Sequence, residues 1–188
     1  MARTLGRRSA LRGAARRLDD RLLLMLVLSI CLLAFYALRY WSMPSFAPIA
    51  GTARVIDGDS IEISGIRIRL EAIDAPEWDQ TCRDGNGRSW WCGRTASQEL
   101  AALVRGRELT CKPQGFDRYR RVLAVCRLAD GSDLNARLVR QGWAVVSGYA
   151  SPYQSEQAQA KAARRGIWIG DFDLPREWRR RHSDLFGR

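Results

Sequence analysis

The chain has 188 residues, 46% of them apolar and 27% charged, with a formal net charge of +11. That length fits one domain with appendages, and the apolar fraction suffices for one compact core. The charge is uneven: residues 1–43 hold eight arginines against Asp19 and Asp20, a surplus of +6, and the rest carries only +5. This excludes reading +11 as a nucleic-acid footprint in itself, although a mildly basic remainder is compatible with a polyanion partner.

Arg outnumbers Lys by 29 to 2, so one arginine is informative only through its position. No internal repeat or long low-complexity segment is present.

Taken in chain order, residues 1–21 read as an Arg-rich cytoplasmic N-terminus. The run LLLMLVLSICLLAFYAL (22–38) is uncharged and lies between Arg21 and Arg39. With its flank it is expected to form a transmembrane signal-anchor over 22–41, since a helix rising about 1.5 Å per residue just reaches across roughly 30 Å of hydrocarbon. The positive-inside rule then carries the remainder to the periplasmic or extracellular side. A cleaved signal peptide is the competing reading, in which case the protein is secreted. Its apolar core is usually about 7–15 residues, however, and no clean A-x-A site follows the run. SMPSFAPIAG (42–51) reads as a linker, and 52–170 as the folded domain.

Within that domain ARVIDGD and SIEIS alternate as strands, with Asp57-Gly58-Asp59 a turn or bulge between them. Ser64-Gly65 turns the chain into IRIRLEAI. There Ile66, Ile68, Leu70 and Ala72 share the inward face, while Arg67, Arg69 and Glu71 share the outer surface. Residues 94–105 have helical spacing and stop at Gly106. Strands around Cys111 and Cys126 follow. Ser132 or Asp133 caps a helix that stops at Gly142. Ser151 caps a last helix of the domain, with Pro152 at its first position and Gly166 at its end. The tail, 171–188, is basic, and its Arg-rich 176–181 reads as a solvated helix end, with nucleic-acid binding as the second reading. Three strands, a helix, two strands, then helices suit an α+β fold built on a five-stranded OB-type β-barrel, a surface that commonly binds nucleic acids.

Cys31 lies in the apolar run, leaving Cys82, Cys92, Cys111 and Cys126 beyond it. A hairpin turning between Arg118 and Tyr119 places Cys111 opposite Cys126. Cys82 and Cys92 then close the loop RDGNGRSWW. Zinc would need C-x-x-C or Cys/His spacing, and the chain has no C-x-x-C and one histidine, His182. Two disulfides require an oxidising space, in agreement with export. Trp90 and Trp91 in that loop are expected to pack on the disulfide, with base stacking as the second reading.

Three segments concentrate charge: DGDS (57–60), RLEAIDAPE (69–77) and DRYRR (117–121). A phosphodiester is an anion that repels nucleophiles, so its hydrolysis needs positive charge on the non-bridging oxygens and a base to activate water. Arginine supplies planar paired donors, and a hard cation held by carboxylate and carbonyl oxygens supplies more positive charge. Asp59 at a turn and Asp74 at a strand end could point at one ion, with Glu77 as the base.

These segments, together with LVRQGWA (138–144), resemble the thermonuclease (staphylococcal-nuclease-like) family, whose motifs VIDGDS, R-x-x-x-x-D-x-P-E and D-[K/R]-Y-x-R occur here in the same order over about 52–168. The resemblance implies an OB barrel with packed helices and a calcium-dependent nuclease that cleaves DNA and RNA to leave 3′-phosphate ends. It implies Asp59 and Asp74 as calcium ligands with the Ala75 carbonyl assisting, Glu77 as the base, Arg69 and Arg121 on the phosphate, and Tyr119 near the nucleotide. Ala75 stands where the family often has Thr, and Arg120 where a Gly is common. Expected partners are a nucleic-acid substrate and a membrane, the protein being a monomer. The rival from another class is a tethered OB module that binds nucleic acid without cleaving it.

Overall fold

Alternating apolar residues build a curled sheet, and helices seal its open side. The computed structural model describes residues 22–38 and 46–186. The expected N-terminal arm (1–21), the last three residues of the expected anchor (39–41), the first four of the linker (42–45) and residues 187–188 lie outside the described residues. The chain divides between Ser45 and Phe46 into two units.

In the first unit helix α1 covers 22–38, and its large apolar side chains, from Leu22 to Leu38, are exposed. Among the described residues no helix is long and apolar enough to cross a membrane, so the spanning helix expected over 22–41 is not supported.

The second unit contains strands β1 (Ile49–Thr52), β2 (Arg54–Asp57), β3 (Ser60–Ile63), β4 (Ile66–Leu70), β5 (Ile73–Asp74), β6 (Cys82–Arg83) and β7 (Ser89–Trp90). Helix α2 (Cys92–Val104) and strands β8 (Glu108–Phe116) and β9 (Val122–Leu128) come next. Helix α3 (Leu134–Gln141), strand β10 (Val145–Val146) and helices α4 (Gln154–Ala162) and α5 (Pro175–Phe186) complete it.

Six strands form one sheet in the order β1-β8-β9-β4-β3-β2. Its two edge strands are separated only by Ala53, so the sheet curls until both edges meet along one stretch of chain. This is an α+β fold with a half-barrel sheet and several helices. The five strands expected become six because Ile49–Thr52, of which 49–51 was read as linker, forms β1 and pairs with β8, while Arg54–Asp57 pairs with β3. β4 and β9 run parallel, whereas the other neighbours in the sheet are antiparallel.

Ile61, Ile63, Ile68 and Leu70 fill the curl and meet Leu100 of α2 and Leu134, Leu138 and Val139 of α3. Each such side chain, fully buried, contributes about 1.5–3 kcal/mol. Cys111 and Cys126 face each other across β8 and β9 and are joined by a disulfide inside this core. A second, smaller cluster gathers around the Cys82–Cys92 disulfide, with Val145, Ile167, Trp90, Trp168, Phe172 and Leu174.

Local signals place the helices. The Asp133 side chain accepts from the Ala136 N–H as the cap of α3, and Gly142 (φ 79°) ends it in the left-handed region that glycine tolerates. Ser151 does not cap α4, which begins at Gln154. Its hydroxyl accepts from the Tyr153 N–H at 3.3 Å and donates to the Ala72 carbonyl at 3.0 Å, fastening this segment to the turn after β4.

Candidate active site

The turn between β2 and β3 sets the first carboxylate. A Cβ at Gly58 would lie 2.7 Å from the Ala75 Cβ, so only glycine lets this turn press against Ala75. Asp57 steadies the turn by accepting from the Asp59 N–H at 3.1 Å. Asp59 is thereby buried at 3% exposure. It accepts from the Ser60 hydroxyl at 2.9 Å, the Ala75 N–H at 3.2 Å and Arg69 Nη1 at 2.9 Å. Burial pushes its carboxyl up to about 7, against the pull of Arg69, and the neighbouring charges of Asp57 and Asp74 add to the rise.

Asp74 arrives by a kink. Ala72 has φ 63°, a left-handed conformation that is unfavourable for a residue with a Cβ. It breaks the alternation after β4, and β5 then pairs with β10. Arg69 Nη2 lies 2.9 Å from Asp59 Oδ2 and 2.7 Å from Asp74 Oδ1. Arg69 is therefore not a solvated outer residue, as its strand face suggested: its side chain is 18% exposed and bridges two carboxylates. Burial opposes its charge, but Asp59 and Asp74 hold the guanidinium above its ordinary range.

Glu77 follows Pro76 on a loop fixed from both sides. Its N–H donates to the Gln80 side-chain oxygen at 3.2 Å, and its carbonyl accepts from the Gln80 N–H at 2.8 Å. A Cβ at Gly93, in the first turn of α2, would overlap the Glu77 carbonyl oxygen at 1.6 Å, so the helix start and this loop are in direct backbone contact.

The β8–β9 hairpin supplies the opposite wall. Asp117 accepts from the N–H groups of Tyr119 and Arg121 at 2.8 and 2.9 Å and from Arg121 Nε at 2.7 Å. Burial opposes its charge, yet these Arg121 and Tyr119 donors bring its carboxyl below the usual range. Arg121 Nη1 donates to the Ser60 hydroxyl at 3.3 Å, linking the two walls. Tyr119 is 65% exposed, with the Arg121 guanidinium 5.6 Å from its ring centre. Arg120 has φ 63°, the left-handed turn position that explains why a glycine is common there.

Asp59, Arg69, Ala75, Glu77, Tyr119 and Arg121 all line one cleft of about 640 Å3, and Asp74 joins it through Arg69. The structure thus brings together every residue expected in the catalytic and metal sets. It also adds four that sequence reasoning passed over: Ser60, Gln80, Asp117 and Arg179. Asp117 had a signal, since aspartate at the start of a turn commonly caps nearby N–H groups. Arg179 had none. It belongs to α5, read as a solvated helix end, yet Nη1 and Nη2 bind Asp74 at 3.0 and 2.9 Å, and Nη1 also binds Glu77.

Among the described residues no group of three or more His, Cys, Asp or Glu side chains is placed to hold a metal ion. The donor set that does converge is Asp59 Oδ2 and Asp74 Oδ1, both within 2.9 Å of one nitrogen of Arg69. Two carboxylate oxygens facing one point, filled here by the Arg69 nitrogen, are the kind of donor that an oxygen-seeking cation such as calcium takes.

The tryptophans divide. Trp90 packs edge-to-face on Trp143 at 6.5 Å, beside the disulfide as expected. Trp91 is 48% exposed and lies under the Arg94 guanidinium at 4.2 Å.

The family described as staphylococcal nuclease homologue matches residues 67–170, more than half of the chain. The chain belongs to the staphylococcal nuclease family. A succinoglycan biosynthesis protein, ExoI, of Rhizobium meliloti is 43% identical over 124 residues, 64% of this chain; the match spans 65% of that relative's length. An uncharacterized endonuclease of Escherichia coli is 34% identical over 136 residues, 69% of this chain and 82% of that protein. A micrococcal nuclease of Shigella flexneri is 31% identical over 159 residues, 74% of this chain and 85% of that protein. The family and the endonuclease names within it support a nuclease. The matched region ends before α5, so Arg179 lies outside it.

Proposed function

We propose that this staphylococcal nuclease family member is a calcium-dependent phosphodiesterase that hydrolyses DNA or RNA outside the cytoplasm. The observation that carries the reading is the convergence of Asp59, Arg69, Glu77 and Arg121 on one cleft, with Asp74 held against Arg69. Two disulfides among the four cysteines of the second unit support an oxidising compartment, with the exposed apolar α1 as the segment that directs the protein there.

Asp59 and Asp74 would hold the cation, the Ala75 carbonyl assisting, and the cation would draw charge from a non-bridging phosphate oxygen. Arg121, oriented by Asp117 and Ser60, offers its guanidinium to the phosphate, and Arg69 turns to it from the carboxylates. Tyr119 stands beside the nucleotide. Glu77 takes a proton from the attacking water as the new P–O bond forms. The P–O5′ bond then breaks and the departing 5′-oxygen takes a proton from solvent water, leaving 3′-phosphate and 5′-hydroxyl ends. The protein works as a monomer.

The test uses the oxidised full chain with single- and double-stranded DNA and RNA, with calcium and with a chelator. Cleavage is expected with calcium alone, and Glu77→Gln should lower it by at least about 100-fold, the low end for losing a general base. Turnover unchanged in that variant removes Glu77 from the role. Salt-sensitive binding without cleavage under every divalent ion tried makes the protein the tethered binding module instead.

A further inference from the structure

We propose that Arg179 is a built-in counter-ion of this site: its guanidinium occupies Asp74 and Glu77 in the resting protein and yields them when a divalent cation enters. The inference rests on the reading above that Asp59 and Asp74 hold a cation.

Arg179 binds both oxygens of Asp74, at 3.0 and 2.9 Å, and one oxygen of Glu77. Asp74 Oδ1 also accepts from Arg69. The proposed metal ligand is therefore saturated on one oxygen and engaged on the other, while the proposed base is committed to the same guanidinium. An incoming cation needs Asp74, and a water-activating Glu77 needs its oxygen free.

Charge balance favours the same exchange. With Asp59 ionised, Asp59, Asp74 and Glu77 carry three negative charges, and Arg69 and Arg179 carry two positive ones. With Arg179 docked the cluster has one unbalanced negative charge. A dication added on top would leave it positive, with a guanidinium and an ion competing for one carboxylate. If Arg179 leaves as the dication arrives, the same cluster is neutral. Like charges this close are strongly unfavourable in a partly buried site, so exchange wins over coexistence.

The fold permits the exchange without undocking α5. The base of the helix is tied down: Gln80 Nε2 donates to the Asp173 carbonyl at 2.7 Å, Arg181 pairs with Asp173, and the Arg83 N–H donates to the Asp171 carbonyl at 2.8 Å. A Cβ at Gly170 would lie 2.2 Å from the Arg83 carbonyl oxygen, so this segment sits hard against the disulfide loop. The Arg179 side chain, by contrast, is 40% exposed and lines the open cleft. Rotation about its own bonds takes the guanidinium into solvent or toward an incoming phosphate. A long arginine on a fixed helix can therefore act as a swinging charge, a role the region shared with the family does not supply.

Calcium titrations of the oxidised full chain by calorimetry test this, comparing the natural protein with Arg179→Met, Arg179→Lys and Asp59→Asn. Arg179→Met keeps an apolar side chain of similar reach and should bind calcium at least about 10-fold more tightly than the natural protein, with Arg179→Lys in between. Melting temperatures give a second reading that a merely structural arginine does not reproduce. In chelator Arg179→Met should melt lower, having lost its ion pairs, and in saturating calcium the deficit should vanish or reverse. Equal or weaker calcium binding by Arg179→Met, with binding in the natural protein abolished by Asp59→Asn, overturns the exchange and leaves the cation site standing. No binding of calcium, manganese or magnesium by the natural protein or Arg179→Met overturns both.

Discussion

Asp59 accepts three side-chain and backbone donors beyond its own turn, yet burial still pushes its carboxyl up to about 7. A carboxyl whose folded pKa is raised stabilises the fold fully below its unfolded value, near 3.9, and loses that contribution as pH rises through the folded value. Without divalent ions the natural protein should therefore become less stable, relative to Asp59→Asn, as pH climbs from about 4 to about 7. The gap should level off above that, at the order of a few kcal/mol. Paired thermal or denaturant melts in chelator at pH 4.5, 6 and 8 measure it. A gap constant across that range would show that Arg69 already neutralises the site. Added calcium should close the gap in favour of the natural protein, because the asparagine offers no charge to the ion. Of this residue's behaviour the sequence showed the position, through Asp57-Gly58-Asp59 and a ligand-like placement. It did not show Arg69 lying across the two carboxylates, because strand alternation reports which face a side chain takes and says nothing of what waits there. Ala72 at φ 63° ends that alternation one residue before β5 swings Asp74 under the face of β4.

Among the elements, the contact between α2 and the Glu77 loop carries the sharpest constraint. Gly93 has no room for a Cβ, since the Glu77 carbonyl oxygen stands 1.6 Å from where one would be. Gly93→Ala must push the loop and the helix start apart, and the loop is the part that carries the proposed base. Overpacking of this kind costs about 1–3 kcal/mol, while a displacement near 1 Å at a catalytic group lowers turnover by about 100-fold. The variant should stay folded at room temperature, with near-native circular dichroism, and lose cleavage far beyond its loss of stability. A proportionate fall in both, or full activity, would mean that the loop relaxes without moving Glu77. Helix boundaries were only partly legible. Asp133 and Gly142 cap α3 in accordance with local rules, whereas Ser151, whose hydroxyl accepts from the Tyr153 N–H and donates to the Ala72 carbonyl, stands ahead of α4, which starts at Gln154. The hydroxyl serves a local N–H and a long-range carbonyl together, and the second partner, Ala72, lies outside any local window of sequence. Arg179 is the extreme case: it is 105 residues from Asp74 in a chain where arginine is 29 of the 31 basic residues.

At the scale of the whole molecule the two disulfides do different jobs. Cys111–Cys126 staples the strand pair at the centre of the core, and Cys82–Cys92 staples a peripheral loop against which the segment leading to α5 is seated. Their sequence separations are 15 and 10, so chain entropy alone gives them similar stabilising contributions, each about 3 kcal/mol. Their consequences for the cleft should differ. Replacing Cys111 and Cys126 together by alanine lowers stability but leaves Asp117, Arg121 and the turn at Asp59 held by their own hydrogen bonds. Replacing Cys82 and Cys92 frees the loop that seats Gly170 and Asp171, and with it the base of α5 that delivers Arg179. Thermal melts should therefore show comparable losses for the two double variants. Calcium titrations at a temperature where both are folded should separate them, with altered affinity in the Cys82/Cys92 variant and near-native affinity in the other. Affinities that move together would mean that the peripheral staple does not govern the cleft and that α5 stays seated through Gln80 and Asp173 alone.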